Sequence, residues 1–364
     1  MTQILKQFRA FNVMKSTLFI TLNALICFPL IAQTQDVKLG AYYFDGWSGS
    51  KSNHMNADLV SRFNERKPIW GWQTSNPEVI GKQVLLAKQY GLSFFSFCWY
   101  YKNSGNGEVD SDIKNNALKQ FLKLDSNFEF SIMVANHKGY NFKPDDWDSL
   151  SVYWCKLFKD KRYLLVDGKP VITFFSLNYL LQSFKTPENV KKAFDSLRAM
   201  AVKNGSNGVT FAVNLNRLDI INQAEACGFD VLTGYNFHQY IPDSTQIGTH
   251  DIDVMRTTEA RVWDQMAKST NLRIIPNVTL NWDPRAVTDP RNRESSSLKG
   301  YSKQSVYKSV KSCLDWMSQN KSSLAGNIAV LYAWNEYGEG AWLTPSKQLK
   351  NSLLEGLKQG KVRD

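Results

Sequence analysis

The sequence predicts an α/β protein whose single domain is a (β/α)8 TIM barrel. Three observations predict this fold. Short apolar segments alternate about eight times with longer amphipathic segments, which indicates parallel strands joined by helices. The chain of 364 residues is long enough for one large barrel, and eight units in roughly 330 residues fit a closed barrel better than an open sheet. No GxGxxG motif follows the first predicted strand, which argues against a dinucleotide-binding fold.

The predicted strands are short apolar runs, as is typical of strands buried on both faces of a sheet. They comprise residues 38–44, 92–98, 128–134, 170–175, 209–213, 230–233, 273–278 and 328–333. Most of them lead directly into aromatic, amide or charged residues, so the chain changes character where each strand meets its loop.

Helices are predicted between the strands, where apolar residues recur at helical spacing. They comprise residues 77–90, 113–124, 147–158, 187–203, 220–227, 254–269, 305–319 and 346–357. Gly91 and Gly228 follow two of them as stop signals, and Thr186 is a predicted N-cap. The long segments 45–75 and 283–303 are predicted loops at the barrel rim.

The N-terminus is predicted to be a secretory signal peptide, residues 1–32, followed by the mature barrel domain, residues 33–364. Lys15 precedes an apolar run, residues 18–31, that ends at Ala32. That run is too short to span a membrane. We therefore expect cleavage near Ala32, no stable membrane span, and a secreted or periplasmic protein.

Charge and cysteine content restrict the partners. The net charge is +11, but the basic residues are scattered and form no nucleic-acid motif, so we expect no nucleic-acid partner. An acidic or sulfated glycan stays open. The cysteines beyond the signal are far apart, which argues against a disulfide-built fold without excluding one or two bridges. No metal-ligand spacing is present, so no metal or cofactor is predicted, and we expect a monomer.

The strongest functional signal follows the last predicted strand. Two carboxylates, an amide and three large aromatics lie within nine residues: Trp334, Asn335, Glu336, Tyr337, Gly338, Glu339, Gly340 and Trp342. The two glycines favour a tight loop. Two acids beside aromatic rings are typical of a sugar-cleaving site, so Glu336 and Glu339 are predicted to be catalytic. The alternative interpretation is a glutamate pair on a solvated turn.

In such barrels the chemistry lies on the loops at the C-terminal ends of the strands. Those ends supply rings, amides, imidazoles and charged groups that suit a polyol ligand. The predicted substrate-binding residues are Tyr43, Asp45, Trp47, Trp99, Tyr100, Asn136, His137, Tyr235, His238, Trp282, Asp283, Arg285, Trp334, Asn335 and Trp342. Three alternatives stay open: Tyr42 or Tyr43 is core, Asn136 caps a helix, and Asp283 with Arg285 is a structural ion pair.

Several motifs together resemble one family. The chain resembles the glycoside hydrolase family 99 endo-α-mannosidases and the related WbsX-like proteins of polysaccharide loci. The resemblance rests on Tyr-Tyr-Phe-Asp-Gly-Trp at 42–47, Asn-Trp-Asp-Pro-Arg at 281–285 and, above all, Trp-Asn-Glu-Tyr-Gly-Glu-Gly at 334–340. The first two motifs support the third, which is the most specific.

The resemblance implies roles for the two glutamates. Glu336 is the general base on the 2-hydroxyl of the cleaved sugar, whose oxygen attacks the anomeric carbon to give a 1,2-anhydro intermediate. Glu339 protonates the leaving oxygen and then activates water, with retention of configuration. Such an acid needs a raised pKa, which burial against Trp334 or Trp342 would supply.

The sequence therefore predicts a secreted, retaining glycoside hydrolase that acts on an α-linked glycan, mannan-like or another polysaccharide. Two alternatives stay open: a carbohydrate-binding protein without turnover, and a WbsX-like glycosyltransferase. A secreted chain lacks cytoplasmic nucleotide sugars, which favours hydrolysis.

Overall fold

A ring of parallel strands lies at the centre of the computed structural model, which describes residues 37–47, 54–102, 108–241, 248–287 and 296–362. The strands are β1 (Lys38–Tyr43), β2 (Phe94–Trp99), β3 (Glu129–Val134), β4 (Leu165–Val166), β5 (Lys169–Phe174), β6 (Thr210–Asn214), β7 (Val231–Thr233), β8 (Thr249–Asp251), β9 (Arg273–Ile274), β10 (Asn277–Thr279), β11 (Ser297–Lys299), β12 (Ile328–Tyr332), β13 (Asn335–Glu336) and β14 (Ala341–Trp342). The predicted signal peptide and its cleavage point lie outside the described residues, as do parts of both predicted rim loops.

Nine of these strands form the barrel wall, in the order β10-β12-β1-β2-β3-β5-β6-β7-β9. All their pairings are parallel, and the register between β1 and β12 pairs Lys38 with Ile328. Strands β9 and β10 are two parts of one segment, interrupted at Pro276, which has no N–H to donate. The Ile275 N–H donates to the Leu232 carbonyl, and the Val330 N–H donates to the Pro276 carbonyl. The sheet therefore closes, and the predicted (β/α)8 barrel is confirmed.

The helices surround this ring. They are α1 (Ala57–Arg62), α2 (Pro77–Gln89), α3 (Asn116–Leu122), α4 (Trp147–Phe158), α5 (Leu177–Phe184), α6 (Pro187–Lys203), α7 (Ile221–Ala226), α8 (Asp253–Ser269), α9 (Lys303–Gln319) and α10 (Ser352–Lys361). Thr186 accepts a hydrogen bond from the Asn189 N–H, so the predicted N-cap of α6 is confirmed.

Three helix predictions differ from the structure. Helix α1 lies in the segment 45–75, which the sequence predicts to be a rim loop. Helix α5 was not predicted; Ser176 caps it by accepting from the Tyr179 N–H. The last helix was predicted from residue 346 but begins at Ser352. Ser346 instead forms bridges with Pro68 and Lys350, and Lys350 has φ +49°, which a helix cannot include. The chain therefore makes a turn before α10.

The apolar core lies between the barrel and its helices. Phe194 of α6 stacks on Phe211 of β6 with ring centres 3.9 Å apart, and Trp147 and Trp154 pack edge to face beside them. Inside the barrel, the Tyr42 hydroxyl donates to the Gly234 carbonyl at 2.8 Å. This packing leaves the loops that follow the C-terminal ends of the strands free to build a site.

The described residues, from Val37 to Val362, belong to one compact unit. Within them the four cysteines Cys98, Cys155, Cys227 and Cys313 are buried free thiols. None of the described helices is both long and apolar enough to cross a membrane.

Candidate active site

The two glutamates lie on a hairpin that follows β12 at the barrel mouth. Strands β13 and β14 pair antiparallel, with Asn335 opposite Trp342 and Glu336 opposite Ala341. Gly340 turns the chain with φ +77°, and a Cβ there would lie 2.8 Å from the Cβ of Asp283. The hairpin therefore requires glycine at this position and carries Glu336 and Glu339 on its connection.

A buried arginine binds the backbone of this hairpin. Arg66, from the segment after α1, has a side chain that is 2% exposed. Its guanidinium donates to the carbonyls of Tyr337 at 2.8 Å and Asp283 at 3.2 Å, and pairs with the Asp283 carboxylate at 2.5 Å. A planar fork with five donors suits such a cluster of acceptors. Arg66 therefore fixes the backbone between the two glutamates.

Two further contacts fix the far side of the loop. The Asp283 N–H donates to the Glu339 carbonyl at 2.7 Å, and the Asn281 amide donates to the Gly340 carbonyl at 2.6 Å. On the near side, the Trp47 indole N–H donates to the Asn335 carbonyl at 2.7 Å. The backbone of the carboxylate pair is therefore set before any ligand arrives, as catalysis by positioned groups requires.

Both carboxyls have raised pKa values. Burial raises the pKa of Glu336 well above its usual value, the charge on Glu339 raises it further, and a hydrogen bond from Tyr235 at 3.5 Å opposes the shift. Burial raises the pKa of Glu339 to about 7, although the Tyr332 hydroxyl donates to its Oε2. Because each charge disfavours the other, the two groups titrate as a pair, which carries one proton over part of the pH range.

The glutamates face two adjoining cavities. The first has a volume of about 340 Å³, and both Glu336 and Glu339 line it. Its other described lining residues are Phe44, Trp47, His54, Asn56, Tyr100, Met133, Ala135, His137, Phe175, Tyr235, Val287 and Gly338. Rings beside a carboxylate pair suit the faces and hydroxyls of a sugar.

The second cavity, of about 430 Å³, shares Glu339, Tyr235 and Phe175 with the first. Its other described lining residues are Ser176, Asn214, Leu215, Asn216, Asn236, His238, Gln239 and Trp282. Glu339 thus stands in the wall between two spaces, whereas Glu336 belongs to the first alone.

The structure brings eight of the predicted site residues to these cavities: Glu336, Glu339, Trp47, Tyr100, His137, Tyr235, His238 and Trp282. Six predicted binding residues have instead structural contacts away from the cavity walls. Trp99 is fully buried and stacks on Tyr153 of α4. Trp334 is also fully buried and donates its indole N–H to Gln83 of α2. The Tyr43 hydroxyl donates to the Thr74 carbonyl.

The other three of these six hold loop backbones. Asp45 accepts hydrogen bonds from Ser75 and from the Ala117 N–H. The Asn136 amide exchanges two hydrogen bonds with the Ser176 backbone and so joins the ends of β3 and β5. The Asn335 amide does the same with the backbone of Phe44. These side chains are short and polar, and the neighbouring backbone groups satisfy them.

The last three predicted residues lie around the hairpin. Asp283 pairs with Arg66 and with Arg285 at 2.6 Å, so the structural ion pair is the interpretation that the contacts favour. Burial raises the pKa of Asp283, but the hydrogen bond from Arg285 and both guanidinium charges hold it below its usual value. Trp342 is buried against Tyr301. Burial raises the pKa of Glu339, and the assignment of that burial to Trp334 or Trp342 stays a prediction.

Sequence reasoning missed two residues that act on the acids. Tyr332, which donates to Glu339, was assigned only to the last strand; its place at the strand's C-terminal end was the available signal. Arg66 was hidden in the long segment after β1, where a charged residue is normally solvated. No sequence signal distinguishes it from its neighbours Arg62 and Lys67.

The fold and the site together define a (β/α)8 barrel with a buried carboxylate pair at its mouth. The family described as "Glycosyltransferase WbsX" matches residues 71–357. The chain belongs to this family, as the resemblance predicted.

Curated relatives match most of this chain. The uncharacterized protein WxcX from two strains of Xanthomonas campestris pv. campestris is 22% identical over 315 residues, which cover 79% of this chain and 42% of that protein. The chain thus spans less than half the length of the curated relatives it matches.

Two solved structures share the fold. A glycoside hydrolase-like protein superposes with a TM-score of 0.64 at 15% identity, covering 90% of this chain and 95% of that chain. The GH99 endo-alpha-mannosidase from Bacteroides thetaiotaomicron superposes with a TM-score of 0.59 at 16% identity, covering 89% and 96%. At such identities the likeness shows a common fold and no more.

Proposed function

We propose that the protein is a secreted, retaining glycoside hydrolase that cleaves an α-linked glycan, mannan-like or another polysaccharide, with Glu336 and Glu339 as its catalytic pair. The observation that carries this proposal is the position of Glu339 in the wall between two cavities, with Glu336 beside it in one of them. A glycosidic oxygen that joins two sugars would then lie next to Glu339, with one sugar in each cavity.

The first step forms the intermediate. Glu336 takes the proton of the 2-hydroxyl of the sugar in the first cavity, and that oxygen attacks the anomeric carbon. The bond to the leaving oxygen breaks as Glu339 gives that oxygen its proton. The product is a 1,2-anhydro sugar, and neither carboxylate becomes bonded to it. The usual separation of about 5–5.5 Å for a carboxylate nucleophile therefore does not apply.

The second step returns both protons. Glu339, now charged, takes a proton from water as the water oxygen attacks the anomeric carbon. The 1,2-anhydro ring opens, and its oxygen regains a proton from Glu336. Two displacements at one carbon restore the original configuration.

The protonation state of Glu336 and Glu339 suits these two steps. The mechanism needs one proton on the pair at the start, and burial raises the pKa of both carboxyls, that of Glu339 to about 7, which favours a proton on the pair. A 2-hydroxyl that donates to Glu336 stabilises the charged form of that group. Substrate binding therefore directs the shared proton to Glu339, where the leaving oxygen needs it.

The test is the release of reducing ends from a panel of α-mannans and bacterial and host glycans. We expect release by the wild type and a loss of at least about 10²-fold in Glu336→Gln and Glu339→Gln, the scale of a lost acid or base. Glu259→Gln is the matched control, because Glu259 is a buried glutamate of α8 that also has a raised pKa but does not line either cavity. Equal release by the wild type and Glu339→Gln would contradict the proposal.

A second candidate is a glycosyltransferase, which the description of the family favours. A sugar hydroxyl in the second cavity would then take the place of water. Activity that requires an activated donor sugar, with no release from the glycan panel, would support this candidate. Glycan binding by the wild type without either activity would instead support a binding protein.

A further inference from the structure

The two cavities differ in chemistry as well as in position. We propose that the second cavity holds the leaving-group side of the glycan and that it selects an uncharged sugar there. This inference rests on the proposed function. It adds which cavity holds the sugar that leaves and whether that sugar is charged.

The placement of the two sugars follows from which carboxylate lines which cavity. In the proposed mechanism the base acts on the sugar that is attacked, whereas the acid acts on the oxygen between the two sugars. Glu336 lines the first cavity alone, and Glu339 lines both. The attacked sugar therefore lies in the first cavity, and the sugar that leaves lies in the second.

The described wall of the second cavity is polar but almost without charge. Its polar groups are the hydroxyls of Ser176 and Tyr235, the amides of Asn214, Asn216, Asn236 and Gln239, and the imidazole of His238. Glu339 is the one carboxylate among the described lining residues, and no lysine or arginine is among them. Amides donate and accept hydrogen bonds equally, which suits hydroxyl groups.

A ring pair completes this wall. His238 stacks on Trp282 with ring centres 3.7 Å apart and planes within 6°, and its Nδ1 lies 2.5 Å from Oδ1 of Asn236. A proton on Nδ1 that donates to this oxygen leaves Nε2 as an acceptor. Burial lowers the pKa of His238 to about 4, so the imidazole is uncharged at neutral pH.

An acidic sugar would find no compensation in this cavity. Its carboxylate or sulfate would give up water and lie near Glu339 without a described cation beside it, and like charges disfavour such an arrangement. The contrast with the chain as a whole is large, since the sequence carries a net charge of +11. The basic surface therefore does not predict the charge of the sugar that leaves.

The test measures binding without cleavage. The Glu336→Gln protein is titrated calorimetrically at pH 8 with two α-linked disaccharides that share the same attacked mannose. One has methyl glucoside on the leaving side, and the other has methyl glucuronoside, so the two differ there only in the carboxylate. We expect the uncharged disaccharide to bind about tenfold or more tightly, which is about 1.4 kcal/mol. Equal or tighter binding of the acidic disaccharide would overturn the inference.

A charge placed in either cavity tests the direction. Gln239→Lys, made in the Glu336→Gln background, adds a cation to the second cavity at a half-buried position. We expect it to reduce the preference for the uncharged disaccharide at least about fivefold, because a cation then faces the acid group. His137→Lys adds the same charge at a half-buried position of the first cavity and is expected to leave the ratio within about twofold.

The two variants test which cavity holds the sugar that leaves. A His137→Lys effect as large as that of Gln239→Lys would overturn the assignment of the leaving side. Because binding is measured, the test does not depend on turnover. Cleavage by the wild type without charge preference contradicts this inference alone, whereas charge preference without any cleavage contradicts the proposed hydrolase and keeps the selectivity of the second cavity.

Discussion

Removing the Arg66 guanidinium should disturb both the fold and the loop that carries Glu336 and Glu339. The side chain is buried, pairs with Asp283, and donates to the carbonyls of Tyr337 and Asp283. Arg66→Met keeps most of the apolar stem and removes the charge and its donors. These three acceptors and the Gly338 carbonyl, 3.4 Å from the guanidinium, then lose a donor inside the protein, where water replaces a lost hydrogen bond poorly.

The magnitude follows from burial. Removing one partner of a buried ion pair typically costs about 3–5 kcal/mol in the free energy of unfolding. Here Asp283 would keep only the partly exposed Arg285, and the buried carbonyls would lose the Arg66 donors. Arg285 provides the matched control, since it pairs with the same carboxylate while 46% of its side chain is exposed. An exposed pair contributes about 0–1 kcal/mol, so Arg285→Met should cost less than about 1 kcal/mol.

Both variants are measured by denaturant unfolding under identical conditions, alongside hydrolysis of the best substrate. We expect Arg66→Met to lose about 3–5 kcal/mol and at least about 10²-fold in kcat/KM, because the loop that carries both acids loses its support. Arg285→Met should stay near the wild type in stability. Equal losses in the two variants, or a loss below about 1 kcal/mol for Arg66→Met, would refute this reasoning.

Three further predictions concern pH and backbone conformation. Tyr332→Phe removes the hydroxyl that holds the pKa of Glu339 down to about 7; the acid then keeps its proton to higher pH, so the alkaline limb of kcat/KM should move up by roughly one pH unit, and an unmoved limb would count against Tyr332. Burial raises the pKa of Glu259 from 4.5 to about 8, so the folded protein binds its proton more tightly and loses stability as pH rises between these values. Glu259→Gln should therefore have a free energy of unfolding roughly 3–5 kcal/mol larger than that of the wild type at pH 9 and nearly the same value at pH 4. The same gain at both pH values would disprove this. Gly340→Ala should cost more stability than Gly71→Ala, because both have φ near +80° but only Gly340 lacks room for a Cβ; equal costs in thermal unfolding would contradict the steric argument.

The position of the carboxylate pair could be predicted because it depends on chain order. A buried strand followed by glycines and carboxylates fixes the last strand of the sheet, and parallel strands bring all their C-terminal ends to one edge. This reasoning placed Glu336 and Tyr235 on one wall without knowledge of any contact.

The direction of each side chain could not be predicted so well. Trp99 and Tyr100 are neighbours, and successive side chains of an extended chain point to opposite faces. Trp99 packs on α4, whereas Tyr100 lines the first cavity. A shift of one residue in the assumed alternation exchanges the directions of these two side chains. The sequence does not show which alternation is right, because both faces of a barrel strand are buried.

Long-range contacts were also beyond the sequence. Arg66 contacts the hairpin at Tyr337, which lies 271 residues further along the chain. Burial of an arginine depends on acceptors that only the folded chain brings together. The same holds for the hydrogen bond from Asp283 to Glu339, since Asp283 was expected to contact substrate.

The central claim is that Glu336 and Glu339 act together through the 2-hydroxyl of the attacked sugar. The most direct measurement compares two α-linked substrates that differ only in this hydroxyl, with NMR detection of the first product. The account predicts that the wild type releases an α-configured product from the complete substrate and that removal of the hydroxyl abolishes cleavage. Cleavage of both substrates at similar rates, or release of a β-configured product, would contradict it.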